Sequence, residues 1–110
     1  MKFRSLAIVG LIASMASVVA PLYAEGDPAA GKSKTAMCAG CHGIPGFRAA
    51  YPETYRVPKI GGQNPGYLVA ALKAYKTGER NHATMKAIAS SLSEQDMADL
   101  AAYYADAGKK

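Results

Sequence analysis

The two cysteines of the chain, Cys38 and Cys41, stand three positions apart in the segment MCAGCHG, and His42 follows the second directly. Two thiols at that spacing beside an imidazole fit three chemistries. They are a redox dithiol, part of a zinc site, and covalent attachment of a haem through two thioethers with the histidine on the iron. A redox dithiol is held at the start of a helix near a βαβ unit, where its thiol pKa is lowered. Here the pair falls at the far end of a helical segment, in a chain without a legible strand. A structural zinc site takes four ligands in a tetrahedron. Cys38, Cys41, His42 and His82 make four, but the neighbours Cys41 and His42 point in different directions. Haem attachment uses every residue type present. Two cysteines at a helix end face one side and reach both vinyl groups of a porphyrin, and His42 is then held below the iron.

Three helical segments must position these residues. The first opens at Asp27-Pro28, a capping residue followed by proline at the first helical position, and runs into Met37-Cys38. The second opens in the same way at Asn64-Pro65 and stops at Thr77-Gly78. Its Leu68, Ala71, Leu72 and Tyr75 form an apolar stripe that excludes Lys73 and Lys76. The third opens at Ser93 with Asp96 three residues on, an acidic relative of the capping box, carries Met97, Leu100, Ala101 and Tyr104 as its stripe, and ends at Gly108. Lys86 to Ser91 fits a further short helical turn. His42 to Asn64 and Gly78 to Ser93 read as irregular, and no segment reads as a strand. The fold class is all-α, with loops so long for the chain that they need something to wrap.

Residues 1–24 read as a secretory signal peptide: Lys2 and Arg4, an apolar run from Leu6 to Ala20, Pro21, and small residues at Ala20 and Ala24. Cleavage is placed after Ala24, with Ala20 as the other site. Retention as an anchor is the rival, since Ser5 to Ala24 could just span a bilayer. Its strongly apolar part is only 15 residues, which favours removal. Residues 25–110 then form one domain, of 86 residues. A domain of that size usually needs a disulfide, metal or cofactor to be stable. A disulfide across a two-residue loop would constrain the unfolded chain very little. The whole chain carries +5, and +3 remains without Lys2 and Arg4. That dispersed charge suits weak docking to an acidic partner and lacks the dense basic run of a nucleic-acid binder.

The strings AAGKSKTAMCAGCHG, VPKIGGQNPGYLVAALKAYKTGER and TMKAIASSLSEQDMADLAAYYA together cover almost all of this domain. In them the chain resembles the class I c-type cytochromes, of the small bacterial periplasmic mono-haem kind. The resemblance implies a cytochrome c-like fold of three to five helices around one covalent haem c, with the terminal helices packed across each other. It also implies one-electron transfer and no catalytic chemistry of its own. Ile44 to Val57 departs from the shortest members by being longer and more aromatic.

The iron needs a ligand opposite His42. Met37 is tied to the proximal side by Cys38, and Met97 lies on the apolar stripe of the last helix, where core packing explains it. Met85 falls in the loop after Gly78, where the resemblance puts the distal methionine, with His82 as the lesser alternative. His/Met ligation raises the reduction potential and suits an acceptor from quinol-level donors. The second nitrogen of His42 should be fixed by a backbone carbonyl, with Pro45, Pro52 and Pro58 as candidates. Arg56, Lys59 and Gln63 are candidates for the haem propionates, or simply a solvated loop. Tyr103 and Tyr104 are expected to pack between the terminal helices. Lys73, Lys76, Arg80 and Lys86 bracket the segment leading to Met85, either as a basic docking rim or as ordinary solvated charges. GGQNPG lacks the preceding strand and the Gly-Lys-Ser/Thr end of a phosphate loop.

The resulting reading is a monomeric periplasmic electron carrier with redox protein partners. The donor would be a dehydrogenase or quinol-oxidising complex, and the acceptor a terminal oxidase or reductase. Membrane contact would come only through docking or an uncleaved leader. The rivals are a cytochrome subunit permanently docked to a dehydrogenase, and a ligand-sensing or peroxidatic haem protein.

Overall fold

The computed structural model describes residues 25–50 and 54–107. Residues 1–24, read above as a leader, and Gly108 lie outside the described residues. The elements are α1 (Pro28–Ser33), α2 (Ala36–His42), β1 (Arg48–Ala49), β2 (Tyr55–Arg56), α3 (Pro65–Thr77), α4 (Ala83–Ser90) and α5 (Glu94–Ala107). Helices dominate, as in a cytochrome c-like fold.

Local chemistry starts three of the helices where the sequence indicates. The Asp27 carboxylate accepts from the Ala29 N–H at 2.9 Å, and the Asn64 amide oxygen accepts from the Tyr67 N–H at 3.0 Å. At α5 the capping is reciprocal: the Asp96 N–H donates to Ser93 Oγ at 3.0 Å, and the Ser93 N–H to Asp96 Oδ2 at 2.9 Å. Gly78 closes α3 at φ +88°, a left-handed conformation that glycine adopts without a Cβ penalty.

Three expectations are corrected. The first helix is two, because the chain turns at Lys34-Thr35. The Lys34 N–H returns to the Gly31 carbonyl at 3.0 Å while its ammonium is drawn to Asp99 (2.6 Å) and Asp96 (2.8 Å) of α5. The segment holding Met85 is not a loop: α4 begins at Ala83, so Met85 lies in its first turn. The stretch 44–57 contains a minimal antiparallel hairpin, with Arg48 opposite Arg56 and Ala49 opposite Tyr55. Strands of two residues are too short to show an alternating pattern.

The core lies where α1 and α3 pack on α5. Gly31 and Gly26 permit a near backbone-to-backbone approach: a Cβ on either would fall 2.0 Å from the carbonyl oxygen of Asp99 or Ala98 respectively. Leu68 and Val69 of α3 meet Ala101, while Leu92, Met97 and Leu100 form a second cluster against Cys38, Leu72 and Tyr104. Met97 is 1% exposed, the core residue its stripe suggested. Asp99 is buried beneath this crossing and fully partnered by the Asp27 N–H, Gln95 Nε2 (both 2.9 Å) and the Lys34 ammonium. The Gly62 N–H ties the middle loop to the Tyr104 carbonyl of α5 at 2.8 Å. Among the described residues no helix is long and apolar enough to cross a membrane.

Candidate functional site

A cavity of about 260 Å³, with largely apolar walls, opens between α2, α3, α4, α5 and the hairpin. Cys38, Cys41 and His42 all line it. Their spacing of i, i+3, i+4 on α2 stacks them on one helix face. No residue of α2 is buried.

His42 Nδ1 lies 2.7 Å from the Pro58 carbonyl oxygen, which settles the choice among the three proline carbonyls. A carbonyl only accepts, so Nδ1 is the donor, and in the neutral tautomer this fixes, Nε2 is the nitrogen that carries the lone pair. A neutral imidazole oriented by a carbonyl through its other nitrogen is the arrangement of a metal-ligating histidine.

Both cysteines are half-buried free thiols. Burial pushes the Cys38 thiol above its ordinary pKa, and the neighbouring Tyr104 hydroxyl offsets this only in part. A redox dithiol needs the opposite shift. Among the described residues no three His, Cys, Asp or Glu side chains converge into a metal-binding group. The apolar cavity bordered by two thiols and an oriented imidazole fits a porphyrin attached at one edge.

Met85 is half-buried and lines the cavity, as does His82. The two are linked, because His82 caps α4 and its Nδ1 accepts the Met85 N–H at 3.2 Å. The His82 ring stands edge-on to Tyr55 (4.7 Å between centroids) and Tyr75 (6.3 Å). Met37 lines the cavity but is 49% exposed. Of the propionate candidates, Gln63 lines the cavity and its side-chain oxygen accepts the Asn64 N–H at 2.8 Å, whereas Arg56 and Lys59 are exposed and lie outside the lining.

Sequence reasoning missed part of the wall. Arg80 lines the cavity with its guanidinium over the rings of Tyr75 (5.0 Å) and Tyr67 (5.9 Å). No local signal marks this bracket. Tyr104 also turns into the cavity beside Cys38, a correction to its expected place between the terminal helices, and burial followed by the nearby thiol pushes its phenol pKa far up. Tyr104 shares its stripe with Leu100 and Ala101, so its direction was readable. Tyr103 keeps the expected place, with its Cβ beside Gly31. The expected basic rim is partly committed elsewhere: Lys73 pairs with Glu94 at 3.1 Å, and Lys76 donates to the Leu92 carbonyl at 2.5 Å.

A cytochrome c family model matches residues 28–106. Similar proteins include cytochrome c-554(548) of Halomonas halodenitrificans, 44% identical over 82 residues that cover 72% of this chain and 94% of that protein. Cytochrome c4 of Pseudomonas aeruginosa is 42% identical over 83 residues, covering 76% of this chain and 39% of its own length. Cytochrome c4 of Azotobacter vinelandii is 38% identical over 91 residues, with 74% and 41% covered. The chain thus spans about two fifths of the length of these cytochrome c4 relatives.

Proposed function

The chain belongs to the class I c-type cytochromes, and from that premise we propose that it is a periplasmic one-electron carrier whose haem is held by Cys38 and Cys41 between His42 and Met85. Members of the family bind haem c covalently and carry electrons; the bound group supplies an iron that alternates between ferric and ferrous states.

The observation that carries the residue assignment is the 2.7 Å contact of His42 Nδ1 with Pro58 O, which leaves Nε2 free to ligate within a cavity that both thiols border. Cys38 and Cys41 anchor one porphyrin edge by thioethers. The Pro58 carbonyl fixes the His42 tautomer and ring orientation. Met85, in the first turn of α4, would hold the iron through its thioether sulfur, and the largely apolar walls would shield a group whose chemistry is the exchange of one electron. Methionine as second ligand favours a high potential, suited to a quinol-oxidising complex or dehydrogenase as donor and a terminal oxidase or reductase as acceptor. The leader-like residues 1–24 support export to the periplasm. His42 and Met85 would together hold the iron, and the chemistry the group would supply is electron exchange, so the chain is read as a carrier with no catalytic chemistry of its own.

Replacing Met85 tests the assignment. Met85→Ala should abolish the weak near-infrared band of a methionine bound to ferric iron, lower the potential, and admit carbon monoxide to the ferrous protein at neutral pH. Retention of the band would overturn it, and carbon monoxide binding to the unaltered protein would favour a ligand-sensing role instead.

A further inference from the structure

One short segment, residues 55–58, touches both histidines of the cavity. Tyr55, Val57 and Pro58 all line the wall. Pro58 offers its carbonyl oxygen to His42 Nδ1 at 2.7 Å, which orients that imidazole beside the two thiols. Three residues earlier, the Tyr55 ring stands edge-on to the His82 ring, with centroids 4.7 Å apart and planes at 89°. The strand geometry explains this reach. Tyr55 and Val57 are half-buried and the intervening Arg56 is exposed, as alternation across a strand requires. Register is held by the pairing of Tyr55 with Ala49 and by the Val57 N–H, which donates to the Phe47 carbonyl at 3.0 Å.

The His82 ring is held by two tyrosines. Tyr75 of α3 meets it at 6.3 Å and 77°, and is itself covered by the Arg80 guanidinium at 5.0 Å. Edge-to-face ring pairs at about 4.5–7 Å are favourable contacts with a preferred geometry. An imidazole caps a helix only while its accepting nitrogen faces the first turn, and the torsion that turns the ring is soft. Here Nδ1 accepts the Met85 N–H at 3.2 Å, the long end of the usual range. Histidine is also not among the favoured capping residues. The orientation of this cap therefore depends on what packs against its ring.

We propose that Tyr55 is a positioning residue for Met85: its ring fixes the His82 imidazole, and His82 fixes the turn of α4 from which Met85 lines the cavity. This rests on the reading of Met85 as an iron ligand. Through Pro58 and Tyr55, a single strand then sets the orientation of His42 and of the turn that bears Met85. The stretch 44–57, longer and more aromatic than in the shortest members of the family, thereby gains a role in the site.

The test titrates the ferric holoprotein with cyanide at neutral pH and follows loss of the near-infrared methionine band. Cyanide competes with methionine for the iron and is small enough to need no space vacated by a ring. Tyr55→Leu, and Tyr55→Met as a second ring-removing variant, should reach half-loss at roughly three- to tenfold less cyanide than the unaltered protein, the size expected for one lost aromatic pair. Tyr55→Phe keeps the ring and should titrate as the unaltered protein does. Met97→Ala, truncated in the core away from the cavity wall, should also titrate unchanged, which separates positioning from general loosening. In a His82→Ala background, Tyr55→Leu should move the midpoint by less than about twofold, because the residue it acts through is gone. An unchanged midpoint in both ring-removing variants overturns the proposal. So does an equal effect of Tyr55→Leu with and without His82, which would mean that the ring merely fills the cavity. Absence of the band from the unaltered protein refutes the Met85 reading itself, and the proposal falls with it.

Discussion

The backbone N–H of Met85 donates to Nδ1 of His82 at 3.2 Å. His82 is therefore occupied as the cap of α4, and it holds the first turn of the helix that carries Met85, the proposed ligand. Losing a helix N-cap costs about 1 kcal/mol. His82→Ala should lower stability by roughly that amount and weaken the near-infrared methionine band, while His82→Asn, which keeps a cap acceptor, should restore both. Thermal melts and the ferric spectrum of the two variants check this. An unchanged band in His82→Ala would separate the cap from the ligand.

Met97 and Met85 should behave oppositely on truncation. Met97 is 1% exposed within the Leu92–Leu100 cluster and outside the cavity wall. Met97→Ala should cost about 2–5 kcal/mol in denaturant unfolding, as for other buried truncations, and leave the haem spectrum as it was.

The crossing of α1 and α5 should be acid-labile. Asp99 is held at a pKa of about 2, first by the Asp27 N–H and then by Lys34 and Gln95. Asp96 is likewise held at about 2, chiefly by Lys34. Both carboxyls sit below their ordinary value near 4. A depressed folded pKa contributes stability that is complete above the unfolded pKa and is lost as pH falls toward the folded one. Stability should therefore drop between about pH 4 and pH 2, and Asp99→Asn should flatten that drop. Chemical denaturation across the window measures both.

Gly31 leaves no room for a side chain. An added Cβ would lie 2.0 Å from the Asp99 carbonyl oxygen and 2.9 Å from the Tyr103 Cβ. Both are held by a long, well-packed helix, so neither contact can relax cheaply. Gly31→Ala should destabilise by about 1–3 kcal/mol, the usual range for overpacking, despite the better helix propensity of alanine. The melting temperature is the readout.

What the sequence made legible was local. Asp27-Pro28, Asn64-Pro65 and Ser93 with Asp96 cap their own helices through bonds spanning two or three residues, so the starts of α1, α3 and α5 could be read. The helix break at Lys34 could not, because its cause is an ion pair to Asp99, 65 residues away. The start of α4 was hidden because histidine is not among the favoured capping residues. The same division holds at the site. Cys38, Cys41 and His42 announce themselves by spacing on one helix face. The Pro58 carbonyl, the Arg80 bracket and the hairpin that brings Tyr55 to His82 all depend on how distant segments meet.

The central claim is that Cys38 and Cys41 hold the haem covalently, and acid–acetone extraction of the purified holoprotein tests it most directly. Colour should stay with the protein pellet, and intact mass should equal one chain plus one haem. Cys38→Ser/Cys41→Ser should accumulate little folded protein and release any haem it retains into the organic phase. Haem leaving the unaltered protein into that phase, or a mass without haem in a protein that still carries its spectrum, would contradict the account.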